Sequence, residues 1–202
     1  MTMQRRPLIV VSFALLAPLL LGACGPGMLV GAGATAGIAV AQERSVGAAI
    51  DDTAIKLQIK DRMLEKSSDL FLRAGVDSVE GRVLLTGSVP KPEDRVEAGR
   101  IAWTVGGVKE VYNELEVRDR SGVTDYFRDV RISNELRFRL LADRNVYAVN
   151  YNVETVNSAI FLTGIARDQA ELDRVTGHAR AISGVQRVVS YIVLRDDTRR
   201  TS

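Results

Sequence analysis

The runs Leu85-Thr86-Gly87 and Leu162-Thr163-Gly164 decide the fold, because each ends an apolar strand and each is one copy of a repeated pattern. A Gly-Val pair follows twenty positions after each run, beginning at Gly107 and at Gly184. Both glycines recur 77 positions later in the chain, from 87 to 164 and from 107 to 184. The chain therefore contains two copies of one repeated unit.

Residues 52–118 align with residues 129–195 at this offset without a gap, and the identical pairs fall mainly on apolar and glycine positions. Each unit is small for an independent domain, since domains of this size bury small cores and are marginally stable. We therefore expect two similar domains that pack against each other and stabilise each other.

The first unit shows the element order. Asp51-Asp52-Thr53 offers N-cap chemistry, and apolar residues recur at helical spacing behind it, which predicts a helix near 52–65. Glu80-Gly81-Arg82 separates two apolar runs and predicts a hairpin. Pro90 and Pro92 open a second helix, and a third strand follows Gly106-Gly107.

The second unit repeats the order, with a helix at 129–142, strands near 148–156 and 159–165, a helix at 168–182 and a strand at 185–194. Each unit is thus α-β-β-α-β. The fold class is α+β, with two helices packed on one face of each sheet.

Composition excludes several kinds of site. The chain has one cysteine and one histidine, and Cys24 lies outside both repeats, so the folded part can hold neither a disulfide framework nor a Cys/His zinc site. The net charge of +2 is carried by Arg5 and Arg6 at the extreme N-terminus. We expect no nucleic-acid partner, because such proteins carry a basic surface.

The N-terminus predicts export and lipid anchoring. Arg5 and Arg6 precede an apolar run from Leu8 to Leu21, which is typical of a secretory signal peptide and short for a bilayer span. Leu21-Gly22-Ala23-Cys24 resembles a bacterial lipobox, which implies lipidation of Cys24 after removal of the preceding peptide. Gly25, rather than an aspartate, follows the cysteine, and this favours the outer membrane.

These patterns divide the chain into five parts. We expect a signal peptide at 1–23, a lipidated cysteine with a Gly/Ala-rich tether at 24–49, domain 1 at 50–118, domain 2 at 125–195 and a C-terminal tail at 196–202.

The repeat also resembles a known family. The order α-β-β-α-β, the strand-ending Leu-Thr-Gly and the signatures at 105–111 (VGGVKEV) and 182–188 (ISGVQRV) are similar to those of the BON domain of bacterial envelope proteins. Two such domains behind a lipobox resemble the dual BON-domain outer-membrane lipoproteins. The resemblance implies a periplasm-facing lipoprotein that supports envelope integrity and binds anionic phospholipid through its second domain.

We find no arrangement of residues for catalysis, and expect no enzyme activity, cofactor, metal or small-molecule substrate. His178 has no cysteine partner in the folded region, and its counterpart in the first repeat is Ile101, so a packed or half-exposed helix histidine is the favoured interpretation. Trp103 lies off the apolar stripe of its helix, and is interpreted either as an inter-domain contact or as a partner-docking residue.

The two copies differ most in their first helices. At about 100° per residue, Phe127, Arg131 and Phe138 fall opposite the core face of the second copy, while Ala54 and Asp61 take the places of the last two in the first copy. Exposed rings flanked by arginines suit a helix at a membrane interface. The predicted phospholipid site comprises Phe127, Arg128, Arg131, Arg137, Phe138 and Arg139.

Two alternatives remain open. Phe127 and Phe138 could instead pack against the first domain or the following loop. The protein could also be a docking scaffold for envelope assembly or quality-control proteins rather than a lipid-binding module. Some members of the resembled family carry an aromatic residue where this chain has Arg131, and we expect Phe138 to take its place.

Overall fold

The computed structural model describes residues 43–118 and 123–200. The predicted signal peptide, the predicted lipidation site Cys24 and the tether up to residue 42 lie outside the described residues.

The first domain follows the predicted α-β-β-α-β order with two additions. Strand β1 pairs antiparallel with β2, and β2 pairs parallel with β3 and β4. The elements are α1 (Val46–Lys66), α2 (Ser68–Arg73), β1 (Ala74–Val79), β2 (Arg82–Val89), α3 (Pro92–Trp103), β3 (Glu110–Asn113) and β4 (Glu116–Val117).

The second domain repeats this arrangement. Strand β5 pairs antiparallel with β6, and β6 pairs parallel with β7. The elements are α4 (Val123–Ala142), β5 (Tyr151–Val156), β6 (Ala159–Ala166), α5 (Gln169–Arg180) and β7 (Arg187–Leu194), with short 3₁₀ turns at Ala148–Asn150 and Thr198–Arg200. The α+β class with two tandem domains is confirmed.

Some boundaries differ from the prediction. Helix α1 begins at Val46, because Ser45 is the N-cap and its Oγ accepts a hydrogen bond from the backbone N–H of Ala48 at 3.1 Å. The pair Asp51-Asp52 therefore lies inside the helix and does not cap it. Helix α2 was not predicted, and β5 begins only at Tyr151, because a 3₁₀ turn occupies 148–150.

The glycines of the repeated Leu-Thr-Gly run have a steric role. Gly87 and Gly164 have φ angles of +119° and +145°. A Cβ on Gly87 would lie 2.1 Å from the carbonyl oxygen of Arg73, and one on Gly164 would lie 2.2 Å from that of Asn150. The paired strand thus starts in contact with the glycine backbone, and no side chain fits at either position.

Each sheet buries one face under its own helices. In domain 1, apolar residues of α1, β2 and α3 form the core, with Ile59 and Met63 fully buried. In domain 2, Leu136 and Leu140 of α4 occupy the equivalent places in a core that also contains Ile160 of its sheet. Burial of this kind is the main favourable contribution to folding.

The other faces of the two sheets pack against each other. Leu84 of domain 1 contacts Ala159 and Phe161 of domain 2, and Val79 clusters with two residues of the second sheet, Ile165 and Val193. Beside them, the rings of Tyr112 and Tyr191 stack with centroids 4.0 Å apart. The molecule is therefore a sandwich of four layers, helices, sheet, sheet and helices, in which α1 and α4 lie on opposite outer sides.

Candidate functional site

The first helix of domain 2, α4, has one buried and one exposed side. Ile132, Leu136 and Leu140 are buried against the second sheet, as predicted. Phe127 and Phe138 are 65% and 73% exposed. Neither ring belongs to the hydrophobic clusters of the described residues, so the structure does not support the alternative in which they pack against the first domain or the following loop.

Further apolar side chains extend this exposed side of α4. The prediction missed them, although Val130 and Leu141 lie three residues after Phe127 and Phe138 and thus on the same side of a helix. The rings of Tyr126 and Phe127 meet edge to face, with centroids 5.8 Å apart. We call Tyr126, Phe127, Val130, Phe138 and Leu141 the aromatic face of α4; all five are exposed.

Three of the predicted arginines flank this face and form ion pairs. Arg128 pairs with Asp125 at 2.8 Å, while Arg131 and Arg139 both pair with Glu135, at 2.9 Å and 2.6 Å. Three cations thus share two carboxylates, which leaves an excess positive charge beside the aromatic face.

Arg137 lies apart from the other predicted site residues. Its guanidinium donates a hydrogen bond to the carbonyl oxygen of Val153 on β5 and lies 4.0 Å from Glu154. Its repeat equivalent, Lys60, likewise donates to carbonyl oxygens beside β1, those of Phe71 and Ala74. Because β1 and β5 are the edge strands of their sheets, both cations lie at a sheet edge that has no neighbouring strand.

A groove of about 540 Å³ lies between these two edge strands. Its charged lining is paired, since Lys56 lies 3.6 Å from Asp77 and Arg137 lies 4.0 Å from Glu154. Burial raises the pKa of Glu154, although the nearby Arg137 opposes the shift. Asp77 also accepts hydrogen bonds from Asn152 and Thr163 across the domain interface, so we assign these charges to domain packing.

His178 and Trp103, the two residues without an assigned role, lie on equivalent helices of the two domains, α5 and α3. The Nε2 atom of His178 lies 2.8 Å from Asp143 Oδ2, and this hydrogen bond lowers the pKa of the Asp143 carboxyl. Trp103 is exposed at the end of α3, in an outer layer, and belongs to neither cluster between the domains. The inter-domain interpretation of Trp103 is therefore wrong.

The described part of the chain also lacks features of other kinds of site. No three His, Cys, Asp or Glu side chains in it are grouped so that they could bind a metal. Among its helices, none combines the length and the apolar character that crossing a bilayer requires.

Known proteins resemble both halves of the chain. Residues 51–119 and 128–196 each match the BON domain family. An uncharacterized protein from the gshII 5′ region of Anaplasma centrale is 38% identical over 152 residues, which cover 75% of this chain and 99% of that protein.

Two named relatives are also similar over both domains. The outer membrane lipoprotein DolP of Haemophilus influenzae is 30% identical over 170 residues, covering 83% of this chain and 87% of DolP. The osmotically-inducible protein Y of Escherichia coli is 32% identical over 145 residues, covering 71% and 72%. This chain belongs to the family of proteins with two BON domains.

Proposed function

We propose that this protein is a lipoprotein of the bacterial outer membrane that faces the periplasm, is anchored through Cys24, and contacts anionic phospholipid through the aromatic face of α4. The observation that carries the lipid contact is the pair of exposed rings, Phe127 and Phe138, on the side of α4 opposite its buried residues. The relative DolP, an outer membrane lipoprotein by name, supports the compartment.

The energies are compatible with a weak contact. Full burial of both rings in the acyl boundary would contribute at most about 3–6 kcal/mol, and partial insertion less. Each arginine freed to meet an anionic head group would add about 1 kcal/mol. Because Arg131 and Arg139 share Glu135, this gain comes partly at the expense of existing ion pairs. A lipid anchor compensates, since it holds the domain beside the bilayer at high effective concentration.

Phe138→Asp tests the lipid contact. We expect at least about tenfold weaker sedimentation with anionic vesicles, because a charge at this position opposes insertion of the ring face. The protein would be the chain from residue 24 with Cys24→Ser, so that no acyl chain contributes. The matched control is Val96→Asp, which places the same charge at an exposed apolar position of α3.

The two variants should share the wild-type melting temperature. Unchanged binding of Phe138→Asp, or equal weakening in Val96→Asp, would count against the lipid contact on α4. If the wild-type protein fails to sediment with vesicles of any lipid composition, a docking scaffold for envelope proteins becomes the better-supported function.

The anchor has its own test. In cells, Cys24→Ser should release the protein from outer-membrane fractions, because one remaining weak contact does not hold a protein to a bilayer. The measurement is flotation of membranes in a density gradient. A variant that still floats with the outer membrane as the wild type does would rule out anchoring through Cys24.

A further inference from the structure

The outer side of α1 in domain 1 carries a row of exposed aliphatic side chains. Val46, Ile50, Leu57 and Leu64 are 48 to 66% exposed, whereas the opposite side of the helix is buried against the sheet. Their spacing of four, seven and seven residues places them on one line along the helix. We call these four residues the aliphatic stripe. It spans 19 residues, or about 28 Å of helix.

The aliphatic stripe points away from the proposed lipid contact. Because the domains meet through their sheets, α1 and α4 lie in the two outer layers of the sandwich. A flat bilayer that touches the aromatic face of α4 therefore lies on the other side of the molecule from the stripe. Within the described residues, no hydrophobic cluster includes any member of the stripe.

The acidic side chains beside the stripe are exposed and have no ion-pair partner in the described part of the chain. Asp61 lies between Leu57 and Leu64 on the helix surface, and Asp51 and Glu65 adjoin the stripe near its ends. No hydrogen bond or ion pair of the three carboxylates occurs among the described residues.

The basic side chains of α1 are all engaged within the domain, in contrast to these acids. Lys60 donates hydrogen bonds to backbone carbonyls and Arg62 to Thr104. The other two form ion pairs, Lys56 with Asp77 at 3.6 Å and Lys66 with Glu97 at 3.9 Å. The outer side of α1 is therefore apolar along its centre and negative at its margin.

We propose that the aliphatic stripe docks an amphipathic helix of a partner protein, one whose apolar side is flanked by lysine or arginine. Seven-residue spacing suits helix-on-helix packing, in which apolar side chains of two helices interdigitate. The uncompensated carboxylates select a cationic partner and oppose an anionic bilayer. The exposed Trp103 lies in the same outer layer, next to Thr104, which Arg62 of α1 contacts.

The probe for this proposal is a synthetic amphipathic helix of about 18 residues, long enough to match the stripe. It consists of leucine and lysine at helical spacing, and its control peptide replaces every lysine by glutamate. Binding is measured by fluorescence anisotropy to the chain from residue 24 with Cys24→Ser. We expect the Leu/Lys peptide to bind, with affinity that falls as salt rises, and the Leu/Glu peptide to bind at least about tenfold more weakly.

Three variants locate the binding. Leu57→Ser with Leu64→Ser, and separately Asp61→Asn with Glu65→Gln, should each weaken Leu/Lys binding at least about tenfold, since interface energy concentrates in a few central side chains. Leu72→Ser removes an exposed leucine outside α1 and should leave binding unchanged. All variants should keep wild-type circular dichroism and melting.

Several outcomes would overturn the docking proposal. These are no binding of the Leu/Lys peptide, equal binding of both peptides, and equal effects of the stripe and Leu72 variants. Loss of anionic vesicle binding in the Leu57/Leu64 variant would identify the stripe as a membrane contact instead. Peptide binding that appears only after removal of residues 24–42 would identify the tether as its occupant. Phe138→Asp should not affect peptide binding, so failure of the docking proposal can be distinguished from failure of the proposed lipid contact.

Discussion

Asp52 and Asp129 show how a single repeated residue holds each domain together. The carboxylate of Asp52 accepts hydrogen bonds from the backbone N–H groups of Glu80 and Gly81, at 2.8 Å and 2.9 Å. Asp129 accepts from those of Asn157 and Ser158, at 2.7 Å and 2.8 Å. All four turn residues have positive φ, so the carboxylate on the helix stabilises a backbone conformation that only glycine adopts readily.

Alignment of the two repeats identifies this position but not its role. Asp52 and Asp129 are identical in the aligned repeats, yet the acidic pair Asp51-Asp52 ahead of an apolar helical pattern predicts an N-cap. Each aspartate meets a turn nearly 30 residues further on. Such a contact depends on how the helix packs across the hairpin, which local spacing does not encode.

Asp129→Asn should destabilise the protein by about 1–3 kcal/mol. The amide has the same shape, but it loses the charge that strengthens both hydrogen bonds and can accept fewer of them. The measurement is the free energy of unfolding in urea. Asp173→Asn, at an exposed position of α5, serves as the control and should change it by less than about 0.5 kcal/mol. Equal effects of the two substitutions would show that the turn does not depend on the carboxylate.

At the scale of elements, apolar periodicity predicted the parts of each helix that touch a sheet and missed the parts that do not. The row of Ile55, Ile59 and Met63 predicted α1, but its first turns, from Val46, lie before the first of these core contacts. Only the cap, Ser45, marks that start. Helix α2 has six residues and one buried side chain, Leu70, so it shows no periodicity at all.

The first helices of the two domains also show which part of the site was predictable. The exposed rings of α4 follow from periodicity, because a residue opposite the core face of an outer helix must face outward. The direction of the Arg137 side chain does not follow from periodicity, because it reaches sideways along the sheet edge to the carbonyl oxygen of Val153. Its equivalence to Lys60 was present in the alignment, but the edge strands that both cover became apparent only from the sheet order. Arg131 and Arg139 likewise reach backbone carbonyl oxygens, those of Ser183 and Ala181, on the opposite flank of α4.

At the scale of the whole molecule, the repeat predicted two domains in contact but not the faces through which they meet. A signal for the interface was nevertheless present. Every residue of β6 is buried, and its sequence begins with the continuous run from Ala159 to Leu162. Such a run is typical of a strand covered on both faces, whereas a strand with helices on one side and water on the other alternates.

Contacts made by Arg200 reinforce the same interface. Arg200, in the segment predicted as a tail, pairs with Glu80 of domain 1 at 2.8 Å and donates to the backbone carbonyl of Glu43. Although burial alone would raise the pKa of Glu80, hydrogen bonds from Arg200 and Arg82 lower it. The carboxylate thus stays ionised beside two cations, and Arg200 connects the end of domain 2 to the hairpin of domain 1 and to the segment just before α1.

Phe161 and Leu162 allow the coupling between domains to be measured, because they are adjacent in β6 and point to opposite faces. Phe161 packs against Leu84 of domain 1, whereas Leu162 packs within the core of domain 2. Both are fully buried, so replacement by alanine should cost about 3–5 kcal/mol for Phe161 and about 2–5 kcal/mol for Leu162. The two substitutions should lower the free energy of unfolding by similar amounts, but they should change the unfolding transition in different ways.

We expect the wild-type protein to unfold in one cooperative transition, and Leu162→Ala to shift that transition to lower temperature without splitting it. Phe161→Ala removes contacts between the sheets while leaving each helical core intact, so the domains should melt in two steps. Differential scanning calorimetry distinguishes these results, because the ratio of van't Hoff to calorimetric enthalpy falls when a transition splits. A single transition in Phe161→Ala, with an unchanged ratio, would show that the packed sheet faces do not make the two domains one cooperative unit.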